Sequence, residues 1–242
     1  MWMVLAHSGD ASALWAYTRL QARRPVDLVL VEDLEAPGTG WVHRVGTSGG
    51  SVEIRLADGR RVNSAGVDAV LNRVMVPPAG TAAAVAAPGD GEYARGEITA
   101  FTISWITALA ATVVNTPSTQ GLCGRWRPAL AWRVLAARAG LPVVPLDLDS
   151  TRPDPDHGQL NGQAGTTVLT IDGALLHPAA PAAVRDGAAR LAELSGTPLL
   201  GLRFAGTDPA RSGWRLLDAT PQPDLSVAGE AGIDALEGVL SR

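Results

Sequence analysis

The order of the first three segments does most to limit what this chain can become. An apolar run at residues 1–6 is followed by a stretch at 11–24 with Leu14, Trp15, Thr18 and Leu20 at roughly helical spacing, and then by a second apolar run at 26–31. Pro25 stops the helix. A strand–helix–strand opening needs a crossover, so it favours a parallel sheet in an α/β fold. The connecting residues, His7-Ser-Gly-Asp10, lie where α/β proteins often bind anions at a helix N-terminus. They lack a glycine-rich fingerprint and read as a turn with an N-cap.

Further along, 41–45 and 51–56 read as strands joined by a glycine-containing turn, and Asp58-Gly59 is a second turn. Residues 67–74 read as a buried strand ending in Asn72 and Arg73, and 77–91 as loop. A helix is expected over 92–111, with Ile98, Phe101, Trp105 and Leu109 on one stripe. A short strand at 113–115 breaks at Thr116-Pro117, and a second long helix is expected over 119–139, interrupted or started near Pro128. Residues 141–146 read as a strand, and 147–165, rich in Asp, Pro and Gly, as an exposed linker. Asp172-Gly173 is a hairpin signal between 166–171 and 174–177. A helix at 181–195, strands at 199–205 and 214–218 and a helix over 230–240 complete the reading. No internal repeat is present.

Composition narrows the chemistry. All 20 basic residues other than histidine are arginine; the chain has no lysine. No Schiff base, lysine nucleophile or P-loop ammonium is available, while arginine binds anions but does not act as a base. A hydrophobic share of 46% and a charged share of 18% fit a globular protein with a core. A net charge of −4 gives no reason to expect nucleic-acid binding. No apolar run is long enough to cross a membrane, no signal peptide opens the chain, and the one cysteine, Cys123, allows no intrachain disulfide, so a cytoplasmic protein is expected.

Few residue clusters carry chemistry. Asp154-Pro-Asp156-His157 holds potential metal ligands but has no second cluster to match, and reads as linker. Cys123 reads as a small buried thiol, a nucleophile only if a histidine reaches it in the fold. Arg125-Trp-Arg127, with Arg133 and Arg138, is the densest basic stretch. It reads either as a carboxylate- or phosphate-gripping set or as a solvated helix face with local ion pairs.

Four segments, in order, resemble the ATP-grasp ligases, and within them the peptide-ligase and glutamate-ligase-like group. They are Asp68-Ala-Val-Leu-Asn-Arg73; the helix from Glu97 leading into Val113-Val-Asn-Thr-Pro117; the stretch at 131–145 ending Ala-Gly-Leu-Pro-Val-Val-Pro; and the strands around Leu200-Gly-Leu-Arg-Phe204 and 214–223. The resemblance implies an α/β protein: a Rossmann-like N-terminal subdomain over 1–111, then a reduced ATP-grasp-like α+β part over 112–242, with 147–165 as linker. It also implies departures. The family's two phosphate-binding lysines are missing, with Arg125 and Arg127 near the first position. The metal-binding carboxylates fall on Arg203 and Asp218, and the adjoining asparagine on Thr220. The span at 147–165 is too short for the family's antiparallel lid.

These departures point to a degenerate ATP-grasp homologue without ligase activity, a binding or partner subunit in a peptide or small-molecule pathway. Arg73, Asn115, Arg125, Arg127 and Arg203 are the candidate residues for a peptide or an acidic small molecule, and Asp218 the one candidate metal ligand. No cofactor is expected. The alternative is an ATP-dependent carboxylate–amine ligase that uses Mg²⁺-ATP with arginines in place of lysines and a lid supplied by a partner chain. A recruited Cys123 or Asp218 serving unrelated chemistry is a third reading. A lidless core would also leave apolar residues of the last strands, among them Val168, Leu176, Leu202, Trp214 and Leu216, needing cover from the C-terminal helix or from another chain, and a homodimer or hetero-complex through that face is expected.

Overall fold

The computed structural model describes residues 1–47, 49–78, 89–145 and 164–242. They form two compact units, Met1–Arg125 with Ile233–Arg242, and Trp126–Gly232.

The first unit is built on a four-stranded parallel sheet, ordered β2-β1-β6-β7. The strands are β1 (Trp2–Ala6), β2 (Val26–Leu30), β6 (Ala69–Asn72) and β7 (Thr112–Val114). Every residue of β1 and β6 is buried, as expected of central parallel strands covered on both faces. Helix α1 (Ala11–Gln21) makes the first crossover and buries Ala13, Ala16 and Leu20. The apolar run at 26–31 divides: Val31 leaves the sheet and starts a short helix, α2 (Val31–Glu35), whose first turn holds Glu32 and Asp33.

Strands β3 (Gly40–Gly46), β4 (Gly49–Arg55) and β5 (Arg61–Asn63) form a separate antiparallel sheet in the order β3-β4-β5. Val52 and Ile54 of β4 are buried and their neighbours are not, the period-two pattern of a sheet with one covered face. The cover is α3 (Gly91–Leu109), which presents Thr102, Trp105, Ile106 and Leu109 at helical spacing.

The second unit has α4 (Ala129–Arg138), α5 (Ala182–Ser195) and an antiparallel sheet ordered β11-β10-β8-β9, from β8 (Gly165–Ile171), β9 (Ala174–Leu175), β10 (Leu199–Ala205) and β11 (Leu216–Thr220). Asp172 and Gly173 both take positive φ, 51° and 78°, which joins β8 to β9 in a tight primed turn. Trp132, Ala136 and Leu141 meet Val184, Ala188 and Leu191 over Val168, Leu200, Leu202, Phe204 and Leu216 to make this unit's core. Helix α6 (Gly229–Leu240) follows; in the first unit, Arg23 pairs with its Asp234 at 2.6 Å and Glu237 at 3.2 Å.

One of two readings holds and two expectations are corrected. The helix expected over 119–139 starts near Pro128, at Ala129, with Gly124 at φ 84° before it and Pro128 extended at the N-cap. Of the strand expected at 141–146, the described residues 141–145 make one bridge, between Val143 and Leu216, with Pro142 and Pro145 unable to donate to a ladder. The apolar face expected to need another chain is already covered. Leu169, Ile171, Leu199, Leu202, Leu216 and Leu217 are at most 1% exposed and Trp214 is 4% exposed. The turn Leu225–Ala228 packs on β8, and Pro223 lies so close above Gly201 that a Cβ there would meet it at 2.7 Å. Of the linker and its expected lack of a lid, 146–163 lie outside the described residues, as do 79–88 of the expected loop.

Candidate functional site

In the first unit, polar residues gather at the carboxyl ends of β1, β6 and β7, where parallel sheets commonly place their ligands. Asp10 caps α1, its Oδ1 accepting from the Ala13 N–H at 2.9 Å. The same carboxylate takes Nε of Arg73 at 3.0 Å and Nη2 at 3.2 Å. Both side chains are buried, Arg73 at 2% and Asp10 at 9% exposure. The turn after β1 is therefore a capped turn, as expected, and its cap is tied to the end of β6.

Asn72 donates through Nδ2 to the carbonyls of Asn115 at 2.8 Å and Leu122 at 2.6 Å, and accepts from the Val74 N–H. Asn115 is fully buried with φ 59°, a left-handed conformation asparagine tolerates better than most residues. Cys123 donates from Sγ to the Asn72 carbonyl at 3.2 Å. Burial pushes its thiol up to about 11, only partly offset by Arg73 and a hydrogen bond with Asn115. At neutral pH Cys123 is a thiol, so it lacks the thiolate a nucleophile needs. These contacts tie three strand ends together.

In the second unit the register of β10 and β11 sets Arg203 opposite Asp218, just before a bulge between Arg203 and Phe204. Arg203 Nη2 lies 2.8 Å from Asp218 Oδ2, and Nε is 3.2 Å from both carboxylate oxygens. The two are about a quarter exposed. Arg133 reaches in from α4, its Nε donating to the Leu217 carbonyl at 2.7 Å. Burial lowers its pKa first; Arg203 lowers it further and Asp218 opposes. Arg133 therefore lies near the pair, bonded to backbone carbonyls, where sequence reasoning left it within the basic stretch. Its position between Trp132 and Ala136, on the helix's apolar stripe, is the signal that could have placed it.

The remaining candidates go elsewhere. Arg125 is exposed and belongs to the first unit. Arg127 is half-buried in the second, 5.1 Å from the Trp132 ring, with Nη2 donating to the Ser195 carbonyl at 3.4 Å. Thr220 Oγ1 accepts from the Gln222 N–H. Asp154, Asp156 and His157 lie outside the described residues.

The fold is that of the ATP-grasp ligases. The macrocyclase MdnC from Microcystis aeruginosa MRC, bound with its precursor peptide MdnA, superposes with a TM-score of 0.67 at 11% identity over 100% of both chains. A RiPP-associated ATP-grasp ligase of Chryseobacterium gregarium, in complex with ADP and a leader and core peptide, gives 0.64 at 8% identity over 100% of this chain and 97% of that one. The ATP-grasp ligase PsnB, complexed with minimal precursor, Mg and ADP, gives 0.59 at 16% over 99% and 98%. No protein-family model and no curated protein matches the sequence.

A Mg²⁺-nucleotide needs carboxylates to share the metal and cations to hold the phosphates. The described residues do not fit it. Asp218 already neutralises Arg203, no group of three or more His, Cys, Asp or Glu side chains converges among the described residues, and the chain has no lysine.

Proposed function

We propose that this protein binds a peptide on an ATP-grasp framework without using Mg²⁺-ATP, as a partner subunit in peptide modification. The observation that carries the reading is the bidentate Arg203–Asp218 pair, which sets an arginine against the one carboxylate that the family resemblance puts at a metal-binding position. A cation held against that carboxylate opposes a divalent metal there. The peptide part rests on the solved relatives in fold, several of which are complexes with precursor peptides.

A second reading, an ATP-dependent peptide ligase using arginines for phosphate contacts, is favoured by the same structures, whose names are those of ligases and macrocyclases. Titration calorimetry with ATP, with and without Mg²⁺, separates the two. The first predicts no Mg²⁺-dependent heat at micromolar concentrations. Mg²⁺-dependent micromolar binding that Asp218→Ala abolishes would establish the ligase reading instead.

A further inference from the structure

Helix α4 has an unusual distribution of side chains. Its inward face carries Trp132, Arg133 and Ala136, all buried. Its outward face carries Leu130 at 44% and Val134 at 54% exposure, one turn apart, with exposed Ala137 on the next turn. Trp126, 59% exposed, stands just ahead of the helix. A solvated helix face ordinarily holds charged and polar side chains. Here the one inward cation is committed to backbone carbonyls, and the outward stripe is aliphatic.

The border of the stripe is basic. Arg138 ends the helix and is exposed, and exposed Arg190 of α5 lies at the same end, its Nε donating to the Ala139 carbonyl at 2.8 Å. Helix α4 has no acidic side chain, and Arg138 forms no ion pair among the described residues. Arg138 is solvated, as one reading of the basic stretch expected, without a local ion pair among the described residues.

We infer that this face docks an acidic amphipathic segment of the peptide partner. The inference rests on the peptide-binding reading above and names the surface that reading lacks. Apolar side chains at helical spacing would seat against Trp126, Leu130 and Val134, and carboxylates would meet Arg138 and Arg190. A second copy of this chain is the poorer occupant. Pairing α4 with itself covers the aliphatic stripe but brings further arginine and no carboxylate to the border.

The probe is a fluorescein-labelled peptide of about 18 residues, five helical turns, with leucine on one face and glutamate on the other. A second peptide carries lysine in place of glutamate. Anisotropy is titrated with the intact chain as wild type, Val134→Glu and Arg138→Glu. Both changed positions are exposed, and far-UV circular dichroism checks that the fold is kept. The glutamate peptide should bind wild type and weaken at least about 10-fold with either variant. The lysine peptide should not bind wild type and should gain affinity for Arg138→Glu. Equal binding to wild type and Val134→Glu would overturn the surface while leaving peptide binding intact. Equal binding of the two peptides, no binding of the glutamate peptide to wild type, or a wild-type dimer that Val134→Glu dissociates would each overturn the surface as well. None of these outcomes changes the nucleotide calorimetry, so the two readings fail separately.

Discussion

Arg203 and Asp218 face one another across neighbouring antiparallel strands, with the guanidinium Nη2 2.8 Å from the carboxylate. Register alone makes this pair, since directly opposed side chains are the natural contacts of a sheet. The more deeply buried Arg133 lies close enough to feel both charges, Asp218 favouring and Arg203 opposing its cation, while its Nε donates to the Leu217 carbonyl.

Removing Asp218 should therefore leave two arginines repelling each other. Asp218→Ala is expected to lower stability by about 1 kcal/mol, a modest figure because the pair is a quarter exposed. Adding Arg203→Ala should recover part of that loss. Urea unfolding of both single variants and the double variant completes the cycle, and strictly additive losses would show that the pair is not coupled.

A larger effect is expected at Asp10 and Arg73, where both partners are buried. Arg73→Ala should destabilise by roughly 3–5 kcal/mol, because Asp10 is left as a buried charge. Asp10→Ser keeps an N-cap oxygen and loses the ion pair, so it should fall between wild type and Asp10→Ala. If Asp10→Ser matched wild type in chemical denaturation, capping would be the carboxylate's whole contribution.

Cys123 gives a pH dependence whose sign follows from burial. The folded thiol sits near 11 against an ordinary value of 9.0. Its stabilising effect is complete below pH 9 and lost as pH rises through 11, because the unfolded chain releases its proton first. Denaturation midpoints measured across that range should fall more steeply for wild type than for Cys123→Ala. Iodoacetamide should also modify the native protein at least roughly 100-fold more slowly than the urea-unfolded chain at pH 8, since two pKa units alone remove that much thiolate.

Leu216 tests whether the second sheet needs another chain. It is fully buried within the subunit, beside Trp214 at 4% exposure. Leu216→Glu should unfold the second unit, seen as loss of near-UV circular dichroism, rather than yield a folded monomer from a dimer. A variant that keeps its near-UV spectrum but halves its mass by light scattering would reinstate the interface.

Trp214 shows why the last strands were misjudged from the sequence. It takes φ 56° and leaves the strand, which starts only at Leu216. Its ring packs edge-on to Phe204 at 5.2 Å and to His177 at 4.9 Å. Alternation along a strand shows which residues share a face, but not that both faces are covered; that depends on what the chain lays over them afterwards.

The sequence alone determined the α/β class, the parallel opening, the hairpin at Asp172-Gly173 and the absence of lysine chemistry. These rest on local rules: hydrophobic period, proline stops, turn residues and side-chain inventory. Tertiary structure decided the rest. It tied Arg73 to Asp10 across 63 residues of chain and set Arg203 against Asp218 by register, while Arg133 turned inward. It also left Leu130 and Val134 facing outward on α4. Each of these depends on which elements pack together, and a guanidinium or an aliphatic side chain has no local signal that names its partner.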